Sequence, residues 1–215
     1  MGSVFELLSR QQFWPTFAIL LWLVVTGAGF KHLLDYEQTP GRAANPPLVC
    51  PPDSKIKSGS ALPLLLVFVH PHCPCSRATL SELASVMTRC EGKVSATVVF
   101  YHPEEAGDNW AKTDLWRIAA TIPGVTVFSD PDGTEAARFR VRTSGQVVLY
   151  DSARKLIFSG GITGARGHVG DNLSRAQVIA LVTGSDTTLA RCPVFGCPIF
   201  NRQQQISGGP DKDDR

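Results

Sequence analysis

Two cysteines separated by a single residue, Cys73 and Cys75, are the residues of this sequence best suited to chemistry. They follow an apolar run and precede a helical pattern, so we expect Cys73 at or beside a helix N-terminus, with Pro74 in the first turn. Unpaired backbone N–H groups and the positive end of the helix dipole stabilise a thiolate there. Because the thiolate is the form that attacks disulfides, the pattern predicts thiol–disulfide exchange. If the pair stays reduced, two thiolates one residue apart suit a soft metal ion.

The elements that must position these cysteines alternate between strand and helix. Residues 61–70 form a continuous apolar run of strand length, as expected for a strand buried on both faces. Hydrophobic spacing and turn signals predict further strands and helices along the chain. The predicted strands cover 61–70, 93–101, 125–129, 146–151 and 155–158, and the predicted helices cover 76–90, 104–122, 134–141 and 174–183, the last capped by Ser174. This order predicts an α/β fold with a mixed sheet flanked by helices.

An uncharged stretch over residues 11–30, after a short tail over 1–10, predicts contact with a membrane. Twenty helical residues span about 30 Å, which is the thickness of the hydrocarbon core of a bilayer. A cleaved signal peptide, with the small residues 26–28 at the cleavage site, and a buried core helix are the alternatives. We interpret the stretch as an uncleaved transmembrane anchor whose flanking charges are too balanced to set its orientation.

Composition divides the chain after the anchor into a spacer, a domain and a tail. Residues 31–60 include a proline-rich stretch and predict a semi-rigid spacer that holds a domain away from the membrane. The domain is assigned to 61–190, and a C-terminal tail with a cysteine pair to 191–215, of which residues 201–215 are expected to be disordered.

The charge balance excludes one large class of partners. The chain has 21 basic and 19 acidic residues, a formal net charge of +2. A protein that binds nucleic acid by neutralising phosphates needs a clustered basic face, so no nucleic-acid partner is predicted. Six cysteines are too few for a small disulfide-scaffold protein of this length.

The segment from Cys73 to Ala78 resembles the thioredoxin superfamily, and specifically the membrane-anchored redoxins of the TlpA type. Their signature is a buried strand, then W-C-x-x-C-R, then a helix, with Cys73 as the first cysteine and Arg77 as the basic residue. Here the second cysteine is one position early, and Ser76 occupies its usual place. The resemblance covers about residues 61–184. It implies a thioredoxin-like fold that exchanges disulfides with protein thiols or disulfides, anchored in a bacterial inner membrane with the domain in the periplasm.

A second departure concerns the proline that the family places in a cis peptide bond before the fourth strand. That position falls here at Ser144 or Gly145. A cis bond before a residue other than proline costs about 2.5–4 kcal/mol, so we expect trans bonds. The loop is still expected to face the cysteines, with Thr143 and Ser144 helping to shape the site beside His72 and Arg77.

The fold implied by the resemblance places one more loop near the cysteines. Its last hairpin strand runs parallel to the strand before Cys73, so the long loop over 160–172 should emerge on the cysteine side. Arg166 and His168 of this loop are expected to line the site, and a mobile surface loop is the alternative. His168 could deprotonate a thiol, orient a substrate or bind a metal.

No cofactor is predicted for thiol–disulfide exchange, in which Cys73 attacks and Cys75 resolves the mixed disulfide. The alternative is copper, because Sco-like copper proteins share this fold and use two cysteines and a distant histidine. Cys73, Cys75 and His168 would be the ligands, although the Sco spacing is C-x-x-x-C. A Cys73–Cys75 disulfide would close a small ring that is difficult to form without strain.

The other four cysteines lie outside the Cys73–Cys75 motif. Cys192 and Cys197 are interpreted as a structural or auxiliary pair across a turn, and the alternative is that one of them reaches the active site as a resolving thiol. Cys90 ends an apolar helix face and is expected to be an inert buried thiol. Cys50 is expected to have no catalytic role.

Overall fold

The computed structural model describes residues 2–56, 61–107, 109–184 and 189–200, and side chains from residue 14 onward. The chain divides into two units, Met1–Thr39 and Pro40–Arg215. The first unit consists of helix α1, Gly2–Gln38. Within it, Trp14–Gln38 contains an 18-residue window with a mean hydropathy of 1.8 and no buried residues, and the segment is long and apolar enough to cross a membrane. A signal sequence would satisfy the same criteria of length and composition.

The second unit contains a six-stranded mixed sheet in the order β3-β2-β1-β4-β5-β6. Strands β1, β2 and β3 are parallel, whereas β4 is antiparallel to both β1 and β5. This arrangement is thioredoxin-like. The strands are β1 Leu64–Val69, β2 Ser95–His102, β3 Val125–Pro131, β4 Gln146–Tyr150, β5 Leu156–Gly160 and β6 Ala190–Arg191; the helices are α2 Ser76–Arg89, α3 Asp114–Thr121, α4 Thr134–Arg138 and α5 Leu173–Val182.

Strand β1 lies at the centre of the sheet, and all six of its residues are buried. Successive side chains of a strand point to opposite faces, so β1 contributes to two hydrophobic clusters. Leu65 and Val67 belong to the cluster that includes residues of α2, α3 and α5, whereas Leu66 and Phe68 join the cluster that contains Phe139. The apolar run that precedes the cysteines is therefore a doubly covered central strand, as predicted.

Two predicted helix boundaries are corrected by the structure. The helix predicted over 104–122 is confined to α3, because the described residues 103–107 and 109–112 form turns and bends, in which the Trp110 N–H donates to the Gly107 carbonyl over 2.8 Å. Helix α5 is capped by Asn172 rather than Ser174, because the Asn172 side chain accepts a 2.8 Å hydrogen bond from the Arg175 N–H. An N-cap side chain works in this way, so the helix begins one residue before Ser174.

The predicted spacer over 31–60 is also corrected. Its first residues continue helix α1. Residues 40–56 belong to the second unit, where they form hydrogen bonds with its strands and helices instead of forming a free linker. The Leu156 N–H donates to the Leu48 carbonyl over 2.8 Å, and the Ser54 hydroxyl donates to Glu135 over 2.6 Å. Ile56 is only 6% exposed. Burial of apolar side chains and paired backbone groups explain why this stretch lies on the domain.

The boundary predicted at residue 190 falls inside the folded unit. Strand β6 pairs parallel to β5, and the side chains of Val194 and Ile199 that follow it are buried. These apolar residues gain free energy by burial, so the folded part continues through the residues described up to 200. The disorder expected for 201–215 concerns residues outside those that the structure describes.

A buried ion pair joins helix α5 to helix α2, and the same carboxylate holds the long loop after β5. Glu82 is fully buried and accepts hydrogen bonds from Arg175 at 2.5 Å and from the backbone N–H of Gly170 at 2.6 Å. Arg175 also contacts Asp171, whose side chain is 98% exposed. Removing one partner of a buried pair leaves an uncompensated charge, whereas an exposed carboxylate adds little to stability.

We expect Glu82→Ala to lower the free energy of unfolding by about 3–5 kcal/mol. The matched control, Asp171→Ala, removes the exposed partner of the same arginine and should change it by less than about 1 kcal/mol. Denaturant unfolding of the full chain in detergent micelles, followed by tryptophan fluorescence, measures both. Similar losses for the two variants would contradict this account of the loop anchor.

Candidate functional site

Three thiols meet at the end of β1. The Sγ atoms of Cys73, Cys75 and Cys197 all lie within 4.8 Å of one another. Cys73 and Cys75 are 2% and 8% exposed, respectively. Cys73 and Cys75 come from the turn between β1 and α2, as predicted, and Cys197 comes from the segment after β6. We call this group the thiol cluster.

The structure does not form the expected pair between Cys192 and Cys197. The Cys192 thiol instead donates to the Gln177 side chain over 3.3 Å, while Cys197 lies in the thiol cluster. All six cysteines fall in the described part of the chain, and all are free thiols there. The alternative interpretation, in which one of the two C-terminal cysteines reaches the active site, is the arrangement observed. Cys90 is buried, as expected.

The local backbone holds Cys73 in a tight turn before α2. The Cys73 N–H donates to the His70 carbonyl over 3.0 Å, and the Cys73 carbonyl accepts from the Ser76 N–H at 3.1 Å. Helix α2 begins at Ser76, with Cys75 at the N-cap. Cys73 therefore lies two residues before the N-cap, close to the unpaired N–H groups that favour an anion.

Hydrogen bonds to sulfur lower the pKa of Cys73 to about 4, although burial acts in the opposite direction. The largest contribution is the hydrogen bond from the Cys197 thiol, and the Cys197 backbone N–H, the Ser76 hydroxyl and the Cys75 backbone N–H add to it. Hydrogen bonds to the charged form of a group favour that form. Cys73 is therefore a thiolate at neutral pH.

The other two thiols keep their protons. Burial and the neighbouring charge of Cys73 raise the pKa of Cys75, and the nearby guanidinium of Arg166 only partly opposes this. The pKa of Cys197 is raised first by its hydrogen bond to Cys73, then by burial and by the charge of Cys73. The cluster thus combines one reactive thiolate with two protonated thiols, each close enough to be a disulfide partner or a ligand.

The loop before β4 faces the cluster, as the sequence predicts, and its peptide bonds are trans. Ser144 connects three parts of the site. Its hydroxyl accepts from the His70 N–H at 2.8 Å and lies 2.8 Å from the Ser76 hydroxyl. Its backbone N–H donates to the Cys197 carbonyl over 2.8 Å. Ser144 thereby ties the end of β1, the start of α2 and the C-terminal segment together.

Arginines surround an open pocket beside the cluster. The pocket has a volume of about 240 Å³. Arg166 of the long loop donates to the Gly196 carbonyl and also lies beside the Cys75 thiol, and the Thr143 hydroxyl donates to the Arg42 carbonyl over 2.7 Å. The structure therefore places one predicted site residue, Arg166, beside a thiol of the cluster and another, Thr143, in the wall of the adjacent pocket. The lining residues are Gly41, Arg42, Arg142, Thr143, Arg166, Gly196 and Pro198.

The other predicted site residues are exposed at the surface. His72 is exposed, with its ring 4.6 Å from the Trp110 ring, and Arg77 pairs with Asp114 at the start of α3. Pro74 is exposed in the turn before α2. His168 is exposed, and its Nδ1 lies 3.3 Å from the Arg166 carbonyl. The structure does not place His168 among the potential metal ligands of the thiol cluster.

Two further side chains shape the site: Ser76, to which sequence reasoning gave no role, and His70. The Ser76 hydroxyl stabilises the Cys73 thiolate, and the half-buried ring of His70 stacks on Tyr101 at 5.7 Å. Burial lowers the pKa of His70, which keeps the ring neutral beside the thiolate. The polar residue in the place of the usual second cysteine was the available signal for Ser76.

No protein-family model and no curated protein matches this chain. A hypothetical protein from Sinorhizobium meliloti 1021 has a similar structure, with a TM-score of 0.55 and 20% identity over 75% of this chain and 93% of that one. An uncharacterized conserved protein from Geobacillus kaustophilus has a TM-score of 0.55 and 17% identity over 77% and 93% of the two chains. A secreted disulfide oxidoreductase from Mycobacterium tuberculosis is more distant, with a TM-score of 0.41 and 18% identity over 58% and 82%. At these identities the first two likenesses establish a shared fold alone.

The pKa of Cys73 yields a prediction about its reactivity. Only the thiolate is alkylated, so iodoacetamide should label Cys73 at a constant rate as the pH falls from neutrality and slow only near the pKa of about 4. Cys197→Ala removes the largest stabilising hydrogen bond and raises the pKa. At pH 5 its Cys73 should react at least about twofold more slowly, because a thiol is only about half ionised once its pKa has risen to the pH of the assay.

Mass spectrometry of the labelled peptide measures these rates. Cys192→Ala is the matched control, because it removes a thiol five positions away that hydrogen-bonds elsewhere. An unchanged pH profile in Cys197→Ala would show that Cys197 does not set the pKa of Cys73.

Proposed function

We propose that this protein is a thiol–disulfide oxidoreductase that exchanges disulfides with other proteins through Cys73. The observation that carries the proposal is the thiol cluster, in which a hydrogen-bonded thiolate lies within 4.8 Å of two protonated thiols. A low-pKa cysteine needs a neighbouring thiol to release its mixed disulfide, and the cluster holds both components. The thioredoxin-like fold, with the nucleophile after the first strand, supports the same function.

The first step is attack of the Cys73 thiolate on a disulfide of a partner protein. One S–S bond forms between Cys73 and the partner, the partner disulfide breaks, and the released partner thiolate takes up a proton. A second thiol of the cluster must then attack Cys73 to release the other partner sulfur. Cys75 is the resolving thiol expected from the sequence, and the structure adds Cys197 as a candidate.

The proposed location is the extracytoplasmic side of a bacterial inner membrane. Helix α1 supports it, since Trp14–Gln38 is long and apolar enough to serve as a single anchor. Protein disulfides form and persist in the periplasm, where substrates for this chemistry would be available.

Cys73→Ser should reduce the disulfides of insulin no faster than the uncatalysed background, because serine lacks the thiolate that begins the exchange. Cys90→Ser, which alters a buried thiol ending α2, should retain the wild-type rate. Insulin turbidity, with dithiothreitol as the reductant and the full chain in detergent micelles, measures both. Undiminished turnover in Cys73→Ser would refute the proposed role of Cys73.

A second candidate function, binding of Cu(I) or another soft metal ion, is favoured by the donor set. Three sulfur atoms about 2.3 Å from one ion in a trigonal plane lie about 4 Å apart. The three sulfur atoms of the thiol cluster lie within 4.8 Å of one another, and thiolates are the ligands that Cu(I) prefers. Cys197 would take the place that the sequence assigned to His168.

Anaerobic titration of the reduced full chain with Cu(I), against a chromophoric competitor, should show one strongly bound ion. Cys197→Ser should lose this binding, because the site drops to two thiolates, whereas His168→Ala should keep it. Equal loss in the two variants, or no stoichiometric binding by the wild-type chain, would eliminate the three-thiol site.

A further inference from the structure

We propose that Cys197, and not Cys75, is the resolving thiol, and that the oxidised form of the protein carries a Cys73–Cys197 disulfide. The inference rests on the proposed function, since it assigns the second step of the same exchange reaction. It assigns to Cys197 a step that the sequence pattern gave to Cys75. The segment that carries Cys197, residues 192–199, is called the C-terminal strap below.

Backbone hydrogen bonds hold the C-terminal strap across the site. The Gly161 N–H donates to the Pro193 carbonyl over 3.0 Å and the Gly41 N–H to the Val194 carbonyl over 2.8 Å. Further along, the Ile199 N–H donates to the Arg142 carbonyl over 2.9 Å. These bonds come from three different parts of the second unit. The strap is therefore a docked structural element with a defined position.

The strap and the loop before β4 form an antiparallel contact directly at Cys197. The Ser144 N–H donates to the Cys197 carbonyl, and Thr143 and Pro198 form an isolated β-bridge. A Cβ atom on Gly196 would lie 1.9 Å from the Ser144 carbonyl oxygen, so only glycine permits this approach. This close contact seats the neighbouring Cys197 thiol against Cys73.

The position of Cys75 is less favourable for resolution. Cys75 is one residue from Cys73 along the chain and is the N-cap of α2, where its carbonyl accepts from the Thr79 N–H at 3.4 Å. A disulfide requires a Cβ–S–S–Cβ dihedral near ±90°, which a ring closed over a single intervening residue accommodates poorly. Cys197 comes from a separate segment, so a bond to Cys73 closes no small ring.

The Cys197 sulfur already lies close to the Cys73 sulfur. The two atoms are within 4.8 Å of each other in the reduced protein, so a bond between them needs little movement of the docked strap. Cys197 gives up its proton to solvent before it attacks, because the thiolate is the reactive form of a cysteine.

The second step releases the partner protein. The Cys197 thiolate attacks the Cys73 sulfur, the Cys73–Cys197 bond forms, and the bond between Cys73 and the partner breaks. The partner sulfur leaves as a thiolate and takes up a proton. Over both steps the partner disulfide gains two electrons from Cys73 and Cys197. Of the two protons that it takes up, one balances the proton lost by Cys197, and the other comes from solvent because Cys73 begins as a thiolate.

Reaction of the reduced full chain with glutathione disulfide, in detergent micelles, tests the assignment. Wild type and the control Cys192→Ser should pass to an internal disulfide with little glutathione left on Cys73. Cys197→Ser lacks the proposed resolving thiol and cannot release glutathione from Cys73 by this route. It should hold at least about tenfold more glutathione adduct on Cys73 than Cys75→Ser does, because an adjacent thiol reacts far faster than a second glutathione molecule. Acid-quenched peptide mapping by mass spectrometry measures the adduct and its position.

A second measurement uses the double variant Cys75→Ser, Cys192→Ser, which leaves one cysteine in each of the two relevant peptides. After oxidation it should contain a peptide pair linked through Cys73 and Cys197. Less than a tenfold excess of adduct in Cys197→Ser, or no Cys73–Cys197 link, would overturn the assignment while leaving Cys73 as the nucleophile. Absence of any adduct or disulfide on Cys73 in every variant would overturn both this inference and the proposed function.

Discussion

The stabilisation of a buried anion at Cys73 is the interaction on which the rest of the site depends. A charged group removed from water is costly unless hydrogen bonds replace its solvation. Cys73 is only 2% exposed, so its donors must come from the protein. The turn after β1 brings the Cys75 N–H, the first residue of α2 brings the Ser76 hydroxyl, and a distant segment brings the thiol and N–H of Cys197. Each of these elements therefore supplies at least one hydrogen-bond donor to the Cys73 thiolate.

Ser144 shows how the departures from the redoxin pattern support one another. Ser144 is one of the two residues, with Gly145, at which the resemblance places a proline, and proline has neither a hydroxyl nor an N–H. In this chain the Ser144 hydroxyl binds Ser76, which occupies the usual place of the second cysteine, and the Ser144 N–H binds the strap at Cys197. Hydrogen bonds through Ser144 therefore connect Ser76 and Cys197 in one arrangement.

Local patterns were sufficient for the elements on either side of Cys73. The apolar run over 61–70 predicted β1, the helical spacing after Cys75 predicted α2, and Cys73 lies at their junction, as expected. The position of Cys197 depends on contacts between segments far apart in the chain, with Gly161, Ser144 and Arg142, which no periodicity records. The strap follows a strand of only two residues, β6, and its buried residues Val194 and Ile199 are too few to form a pattern.

The same three sulfur atoms support both candidate functions, and the proposed disulfide makes those functions mutually exclusive. A sulfur in a disulfide is no longer a thiolate ligand, so a Cys73–Cys197 bond would leave Cys75 as the one thiol of the cluster. A reduced cluster, in contrast, offers all three donors to a soft metal ion. Because Cys75 is positioned by the N-terminus of α2 and Cys197 by the strap, the geometry of the metal site and the formation of the disulfide both depend on where the strap docks. The redox state of Cys73 and Cys197 would therefore determine whether the protein can bind metal, and the strap would connect the two activities.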